Sequence, residues 1–360
     1  MIKRILHIVN LLFALLLFGV YAGAFIRPEA APYLSLFNYI YPLLLFINAA
    51  FCIFWLFWKP IYIIVPLAAI LAGCDYIPRL IGTSSGERAS ENSLKIMTYN
   101  VENFSHEAQN TAELRQRNTD SIIEAVKKEN PDILCFQEYS ASKNGQHSIH
   151  RILTRELGYE YYFAPAESKY GINGSVIYSK EKIIRSGCPF PMKELYHSFA
   201  FADIKAGKEV IRIYNIHLAS YQIIDEEKNE VGILTKGKIP NKEVSRSVKD
   251  KLIAANKKRS IETREMVELL QQTKPKCLVV GDFNSTPYSY TYREFSKLMK
   301  DSFRQAGKGF SGTYNGPLPA FRIDYVFCSE GIKATSYCVG KYLYSDHKPI
   351  IVDFETEKKK

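Results

Sequence analysis

Three long apolar runs fill the first quarter of this 360-residue chain and constrain its fold more than any other feature. They cover residues 5–26, 34–58 and 61–81. Each reaches the ~20 residues that a helix needs to cross the hydrocarbon core of a bilayer. Three buried helices of a soluble protein would each need a polar face, and none is visible. The sequence therefore predicts transmembrane helices, of which the third is the least regular because Asp75 and Pro78 lie near its end.

The polarity of the chain changes abruptly after these runs. We predict a transmembrane region over residues 1–82, a short linker over 83–92 rich in small residues, and a polar domain over 93–356. Short strands alternate with helices in the polar part, which is typical of an α/β domain. The predicted strands and helices cover 94–99, 113–128, 132–136, 174–178, 210–216, 257–271, 277–280, 321–327 and 349–354.

The basic residues of the apolar quarter predict its orientation. Lys3 and Arg4 precede the first run and Lys59 separates the second from the third, so both sites lie on one side of the membrane. Cytoplasmic loops carry an excess of Lys and Arg. The chain is therefore predicted to be an integral membrane protein, with its polar domain on the extracytoplasmic side.

Two alternatives for this quarter stay open. Ala22-Gly23-Ala24 after an apolar stretch is similar to a signal-peptide cleavage site, and its use would still leave the polar domain outside. Leu71-Ala72-Gly73-Cys74 is similar to the lipidation box of bacterial lipoproteins, although it lies far from the N-terminus.

Charge and cysteine content reduce the number of function classes that fit the chain. Residues 90–360 carry 41 Lys or Arg and 34 Asp or Glu, and the surplus concentrates in 225–264 and in the last three residues. A basic groove for long nucleic acid is therefore not evident. The seven cysteines have no regular spacing and indicate neither a disulfide framework nor a zinc site.

Polar side chains follow the ends of the predicted strands. Converging carboxylates and amides favour Mg²⁺ or Mn²⁺ over zinc, and two imidazoles among them can donate hydrogen bonds to a phosphoryl oxygen. These residues are Asn100, Glu102, Glu138, Asn215, His217, Asp282, Asn284, Asp324, Asp346 and His347.

Six blocks of sequence resemble the endonuclease/exonuclease/phosphatase superfamily, the deoxyribonuclease I-like proteins, and occur in that family's order over nearly the whole polar part. They are Thr98-Tyr99-Asn100-Val101-Glu102, Gln137-Glu138, Asn215-Ile216-His217-Leu218, Gly281-Asp282-Phe283-Asn284, Arg322-Ile323-Asp324-Tyr325 and Ser345-Asp346-His347. The resemblance implies a four-layer α/β sandwich, two packed mixed β-sheets flanked by helices, here preceded by transmembrane helices.

The resemblance also implies a metal site for Mg²⁺ or Mn²⁺. Glu138 matches the principal metal ligand. Asn100 and Glu102 match first-strand residues that contact or orient the metal and its water. Asp346 matches a residue that binds metal or water in some members.

Two further residues match groups that act on water and phosphate. Asp282 corresponds to the carboxylate that orients or deprotonates the attacking water, and Asn284 to an amide that holds the phosphate.

The remaining matches concern the imidazoles. His347 corresponds to the imidazole that contacts the phosphoryl oxygen, with Asp324 orienting it, and His217 to a second histidine with Asn215 in support. For Asp324 a plain ion pair with Arg322 is the alternative, and for His217 a role as a core histidine.

The resemblance implies a metal-dependent phosphodiesterase that hydrolyses nucleic acid or another phosphodiester. A sphingomyelinase-like enzyme acting on lipid headgroups, a phosphomonoesterase and an inactive membrane-tethered binding protein are the alternatives. The expected partners are a phosphate ester and the lipid bilayer, and no protein partner is evident. Residues 219–256, directly after His217, are predicted to form a long loop with a helical end that covers the substrate or forms an inert insertion.

Overall fold

The computed structural model describes residues 1–84, 93–104, 111–143, 148–190, 199–207, 209–233, 240–316, 321–342 and 344–355. The α-helices of these residues are α1 (Ile2–Phe25), α2 (Tyr41–Trp58), α3 (Ile64–Ala72), α4 (Ile77–Leu80), α5 (Ala112–Glu129), α6 (Ile149–Arg155), α7 (Asp225–Gly232), α8 (Lys242–Gln272), α9 (Tyr290–Ser296) and α10 (Ser302–Ala306). Short 3₁₀ helices cover Leu34–Ile40, Pro60–Ile63, Cys74–Tyr76 and Glu102–Phe104.

The strands are β1 (Ile81–Thr83), β2 (Ser93–Asn100), β3 (Ile133–Ser142), β4 (Tyr161–Phe163), β5 (Ala166–Glu167), β6 (Gly171–Ser179), β7 (Ile183–Gly187), β8 (Phe199–Ala206), β9 (Glu209–His217), β10 (Cys277–Asp282), β11 (Lys300–Asp301), β12 (Lys308–Phe310), β13 (Asp324–Cys328), β14 (Ala334–Val339) and β15 (Ile350–Glu355). Most of the predicted linker lies outside the described residues.

Two mixed sheets form the centre of the molecule. One has the order β11-β13-β10-β9-β8-β7, and the other has the order β14-β15-β2-β3-β6-β4 with β5 paired to β6. The pairs β9–β10 and β2–β3 are parallel, and the other pairs are antiparallel. Parallel neighbours matter here because the carboxyl ends of both strands then reach the same edge of the sheet.

Alternating side chains explain how the sheets stack. In β10, Leu278 and Val280 face the core shared by the two sheets, whereas Cys277 and Val279 face outwards. A strand projects successive side chains to opposite faces, so a run that is apolar at every position is buried on both.

Helices cover the outer face of each sheet. Ile122 and Val126 of α5 and Leu153 of α6 pack on the sheet that contains β2 and β3. Met266 of α8 and Phe295 of α9 pack on the other sheet. The layers therefore run helix, sheet, sheet, helix, and the predicted four-layer α/β sandwich is confirmed.

Helix α8 differs from its prediction, since it begins at Lys242 instead of near 257. Asn241 caps it, with its side chain accepting a hydrogen bond of 2.8 Å from the Glu243 amide. Glu227 of α7 accepts hydrogen bonds of 2.6 Å each from Ser247 and Lys251. The charged first half of α8 is thus held by tertiary contacts that no local periodicity reveals, and 219–256 holds two helical elements among its described residues.

The N-terminal quarter forms a bundle of apolar helices. Ile2–Phe25 and Leu34–Trp58 are long and apolar enough to cross a membrane. The third predicted span is a pair, Pro60–Ala72 and Cys74–Leu80, bent by 55°. The bend falls at Gly73, where an added Cβ would lie 2.1 Å from the Tyr21 ring, so only glycine allows this close approach.

One end of the bundle docks on the sandwich. Tyr41 at the start of α2 lies with its ring centroid 4.0 Å from that of Tyr288, and β1 pairs with β12. Lys3 lies at the opposite end of the bundle, with its Nζ atom 5.4 Å from the centroid of the Trp58 ring.

Candidate active site

Three adjacent strands bring acidic and imidazole side chains into one row. Asp282 at the end of β10 is in register with His217 on β9 and with Asp324 on β13. All three side chains are buried, so their polar atoms must find partners within the site.

Gly281 allows β10 to approach β9 at this point. Its φ is +130°, and an added Cβ would lie 2.0 Å from the carbonyl oxygen of Ile216. A glycine before Asp282 is therefore a requirement of the strand pairing that places the carboxylate.

The second sheet contributes Asn100 and Glu138. Asn100 at the end of β2 is in register with Gln137 on the parallel strand β3. The pairing of β3 with β6 shifts register between Phe136 and Tyr139. This bulge turns Glu138 away from the sheet and towards the first-sheet residues, a common use of bulges beside active sites.

The side-chain amide of Asn100 joins the two sheets. Its Nδ2 atom donates to Glu138 Oε1 and to Asp282 Oδ2, both at 3.1 Å. Its Oδ1 atom accepts from the Glu102 amide at 3.1 Å. Asn100 thus aligns the two carboxylates.

Two imidazoles face the Asp282 carboxylate. The Nε2 atoms of His217 and His347 each lie 3.6 Å from Asp282 Oδ2. On its other side, His347 Nδ1 lies 2.9 Å from Asp324 Oδ2. The geometry places Asp324 where it can orient the His347 ring. The alternative ion pair of Asp324 with Arg322 is wrong, because Arg322 donates to Asp301 at 2.7 Å.

Burial and neighbouring charges separate the proton affinities of these groups. Burial raises the pKa of Asp282 to about 6, above its ordinary value of 3.8, with the two imidazoles opposing the shift and Asp324 adding to it. Burial alone would lower the pKa of His347, but the charges of Asp324 and Asp282 raise it well above its ordinary value. Burial lowers the pKa of His217. At neutral pH the site then holds an ionised Asp282, a protonated His347 and a neutral His217.

Glu102, Asp346 and Lys228 lie at the outer edge of the site. Glu102 Oε2 accepts from the Asp346 amide at 3.1 Å. Asp346 Oδ1 lies 3.8 Å from His347 Nε2, and Asp346 Oδ2 lies 3.6 Å from Lys228 Nζ. Glu102 thus holds the loop that carries Asp346 and His347. Helix α7 places the ammonium group of Lys228 beside the Asp346 carboxylate.

Asn215 lies beneath the site, fully buried between the sheets. Its Nδ2 atom donates to the carbonyl oxygens of Phe136 at 2.9 Å and Val176 at 3.0 Å, and its Oδ1 atom accepts from Gln137 at 2.6 Å. It ties β9 to β3 and β6 directly below Glu138. The structure therefore places it among the supporting side chains, away from the open face.

Asn284 is fixed by the loop that follows β10. Its amide donates to Asp282 Oδ1 at 2.7 Å, and its Nδ2 atom donates to Leu218 O at 3.0 Å and to Asp282 Oδ2 at 3.2 Å. Its carbonyl oxygen accepts a hydrogen bond from the Tyr221 hydroxyl.

Strained backbone is concentrated here. Glu102, Glu138 and Asn284 have φ values of 46°, 49° and 48°. Each such residue costs of order 1–3 kcal/mol and persists only where its surroundings impose it. Three of them in one site indicate that the placement of these side chains is maintained at a cost in backbone conformational energy.

Two places in the site could bind a metal ion: a group of two carboxylates and one imidazole, and the carboxylate of Glu138. Ligand atoms of Asp282, Asp324 and His347 lie within 4.8 Å of one another. However, His347 Nδ1 and Asp324 Oδ2 already form a hydrogen bond of 2.9 Å, and a cation bound between them would have to break it. Glu138 fits better: burial and the nearby charge of Asp346 raise the pKa of its carboxyl group, and a divalent cation would offset both effects.

Sequence reasoning missed Lys228 and Tyr221. Both lie in the segment after His217 that was predicted to be either a cover over the substrate or an inert insertion. That position was the only available signal, because neither residue belongs to a motif and their contacts arise from the folding of α7 and α8 over the site.

Fold and site together define a class, the two-sheet α/β sandwiches with a polar site at one edge of both sheets. The chain belongs to the endonuclease/exonuclease/phosphatase family, whose model matches residues 97–347. Members of this family are generally hydrolases of phosphoester bonds. Residues 3–80 match a domain of unknown function, DUF8431, and no curated protein matches the chain.

Solved structures share the fold at low identity. The human Nocturnin catalytic domain with bound sulfate anion is 16% identical, with a TM-score of 0.50 over 76% of this chain and 95% of that one. An endonuclease/exonuclease/phosphatase from Bacteroides vulgatus is 18% identical, with a TM-score of 0.49 over 74% of this chain and 100% of that one. A third, from Beutenbergia cavernae DSM 12333, is 17% identical, with a TM-score of 0.49 over 73% of this chain and 72% of that one.

Proposed function

We propose that this chain is a membrane-anchored phosphodiesterase that uses a divalent cation, Mg²⁺ or Mn²⁺, and an activated water. One observation carries the proposal: Asp282 Oδ2 lies 3.6 Å from two imidazole Nε2 atoms while Asn100 links it to Glu138. A base, two hydrogen-bond donors and a cation ligand are the groups that hydrolysis of a charged diester requires.

The cation would be held by Glu138, with Asn100, Glu102 and Asp346 as further candidate ligands or orienting groups. A divalent ion bound there would neutralise a non-bridging phosphoryl oxygen and the leaving oxygen. Carboxylate and amide oxygens are the ligands that these hard cations prefer.

Each protein group then has a defined task. Ionised Asp282 orients the attacking water and takes up its proton. Protonated His347, held by Asp324, donates to the phosphoryl oxygen on which negative charge builds up, and His217 contacts the same group from the other side. Asn284 holds the phosphate. A single donor of this kind is worth about 3 kcal/mol of the barrier.

The topology completes the proposal. Residues 1–82 form the membrane region, 83–92 the linker and 93–356 the catalytic domain. Lys3, Arg4 and Lys59 lie at the end of the bundle opposite the sandwich, which supports an extracytoplasmic catalytic domain. Protease treatment of intact cells should then cleave the catalytic domain, whereas protection until lysis would place it in the cytoplasm.

The activity is tested on the full chain in detergent or nanodiscs. Hydrolysis of bis(p-nitrophenyl) phosphate would be measured with Mg²⁺, Mn²⁺ or EDTA, beside p-nitrophenyl phosphate, plasmid DNA and phospholipid vesicles. Metal-dependent diester cleavage that is lost in an Asp282→Ala, His347→Ala double variant supports the proposal. Cleavage of the monoester alone would make the protein a phosphomonoesterase. No turnover by a folded, metal-binding protein would favour a binding role.

A further inference from the structure

The short segment between α1 and α2 contacts the loops that carry the candidate active site. This connecting segment, residues 34–41, contains the 3₁₀ helix Leu34–Ile40. Asn38 Oδ1 accepts a hydrogen bond of 2.6 Å from Thr286, two residues beyond Asn284. Ser35 Oγ accepts one of 2.9 Å from Asn256 of α8. Both contacts are buried, so the membrane bundle and the sandwich meet in a defined polar interface.

Tyr39 is the centre of this interface. Its hydroxyl oxygen lies 2.9 Å from Asn256 Oδ1, 3.3 Å from the Tyr221 hydroxyl oxygen and 3.4 Å from Arg259 Nη2. Its ring packs against the ring of Phe321, with centroids 6.0 Å apart. Tyr39 therefore touches residues from three separate parts of the sandwich.

Arg259 and Tyr221 carry these contacts towards the site. Arg259 is 1% exposed, donates to Ala219 O at 2.7 Å, and stacks its guanidinium 4.3 Å from the centroid of the Tyr221 ring. The Tyr221 hydroxyl donates to the carbonyl oxygen of Asn284. Ala219 lies two residues after His217, so the same network holds the backbone beyond both strands, β9 and β10.

We propose that Tyr221 is a positioning residue for Asn284 and that Tyr39, from the connecting segment, holds Tyr221 in place. This inference rests on the proposed function, in which Asn284 holds the substrate phosphate. The physical reason is the backbone of Asn284, whose φ of 48° is unfavourable for a non-glycine residue and needs an external contact to persist. The membrane bundle then contributes to catalysis through the position of Asn284, beyond anchoring the enzyme.

Single hydroxyl deletions test the idea with little disturbance of packing. In the full chain in nanodiscs, Tyr221→Phe should lower kcat/KM for bis(p-nitrophenyl) phosphate by about threefold to tenfold, the effect of one hydrogen bond. Tyr39→Phe should lower it by a smaller factor. Tyr33→Phe is the matched control, because Tyr33 lies beside the same segment and is 66% exposed. It should retain wild-type kinetics.

A double-mutant cycle separates positioning from a general loss of stability. If Tyr221 acts through Asn284, Tyr221→Phe should cost less than about twofold in an Asn284→Ala background. Equal losses in both backgrounds would overturn the inference, as would kinetics of Tyr221→Phe that match the Tyr33→Phe control. A wild-type protein without metal-dependent turnover would instead overturn the proposed function, and the inference with it.

Discussion

At the scale of single residues, the site depends on neighbouring side chains that have different pKa values although they lie within a few ångströms of one another. Asp282 is buried between two imidazoles, and the histidine that Asp324 touches keeps its proton while the other does not. A carboxylate and an imidazolium in contact can act as base and donor in the same step. Both states follow from burial and neighbours and could not be read from residue types alone.

Removing the candidate base should abolish turnover without unfolding the protein. We expect Asp282→Ala to lower kcat by about 10²- to 10⁴-fold, the range for a positioned general base. The control is Asp353→Ala, which removes another buried carboxylate, on β15 and hydrogen-bonded to Ser336. If both variants lose activity equally, the loss reflects damaged packing and Asp282 has no special role.

The pH profile should report the same two groups. Asp282 takes up a proton as the pH falls through about 6, so kcat/KM should decline on that side. His347 loses its proton only well above its ordinary pKa of 6.5, so the alkaline decline should begin well above neutrality. Asp324→Asn removes the charge that holds this proton and should move the alkaline limb to lower pH. An unmoved limb would contradict the assignment of His347 as the donor.

At the scale of elements, α7 places a cation at the acidic edge of the site. Lys228 lies 3.6 Å from Asp346, and its neighbour Glu227 is fixed by Ser247 and Lys251 of α8. Because α7 is tied to α8 in this way, Lys228 is held over the site.

Lys228 should therefore bind the substrate phosphate. Lys228→Ala is expected to raise KM by about tenfold, the lower end for a hydrogen bond to a charged group, with a smaller effect on kcat. Lys242→Ala, at the exposed start of α8, serves as the matched control for loss of one positive charge. A kcat defect with unchanged KM would assign Lys228 to the chemical step instead of binding.

The pairing of β9 with β10 is the second element-level dependence. Gly281→Ala would push a Cβ into the Ile216 carbonyl, and the strands could pair only after a backbone shift at Asp282. We expect a lower melting temperature and a loss of activity in the same protein. Gly158→Ala is a control for positive φ alone, since an added Cβ there meets nothing within 4 Å. Equal effects of the two substitutions would contradict the claim that the pairing of β9 with β10 requires Gly281.

At the scale of the whole molecule, the bundle and the sandwich share an apolar core and are joined by a buried hydrogen bond. Tyr288 belongs to the same apolar cluster as Tyr41 and Tyr76. Arg322, next but one to Asp324, donates to Arg79 O at 3.1 Å. The two parts are therefore joined along the loops that follow β10 and precede β13.

Deleting residues 1–82 should consequently destabilise the sandwich. The truncated protein would expose Tyr288 and leave buried Arg322 without one of its acceptors, a loss of about 1–3 kcal/mol for the hydrogen bond alone. Thermal melting of both forms in the same detergent measures the difference. An unchanged melting temperature would show that the bundle is an independent anchor.

Local patterns in the sequence were enough to predict the long apolar N-terminal helices, the α/β class and the residues that gather at the site. The patterns are the apolar runs long enough to span a bilayer, the strand periodicity and the order of short polar motifs. Each is a local signal that can be read without knowing the tertiary contacts. Strand periodicity predicted the central strands β2, β3, β6, β9, β10, β13 and β15. The four-layer sandwich was implied by the family resemblance of the ordered motifs. They also placed Asp282, His217 and His347 among the site residues, and the structure brings these side chains together.

Which side chains face the open site and which support it depends on contacts between distant elements. Asn215 and Glu102 hold backbone, Arg322 pairs with Asp301, and the first half of α8 is helical because α7 and the connecting segment pack on it. The docking of Tyr39 beside Tyr221 joins residues 182 positions apart in the chain. Such contacts depend on the relative placement of distant elements, for which a local sequence pattern has no signal.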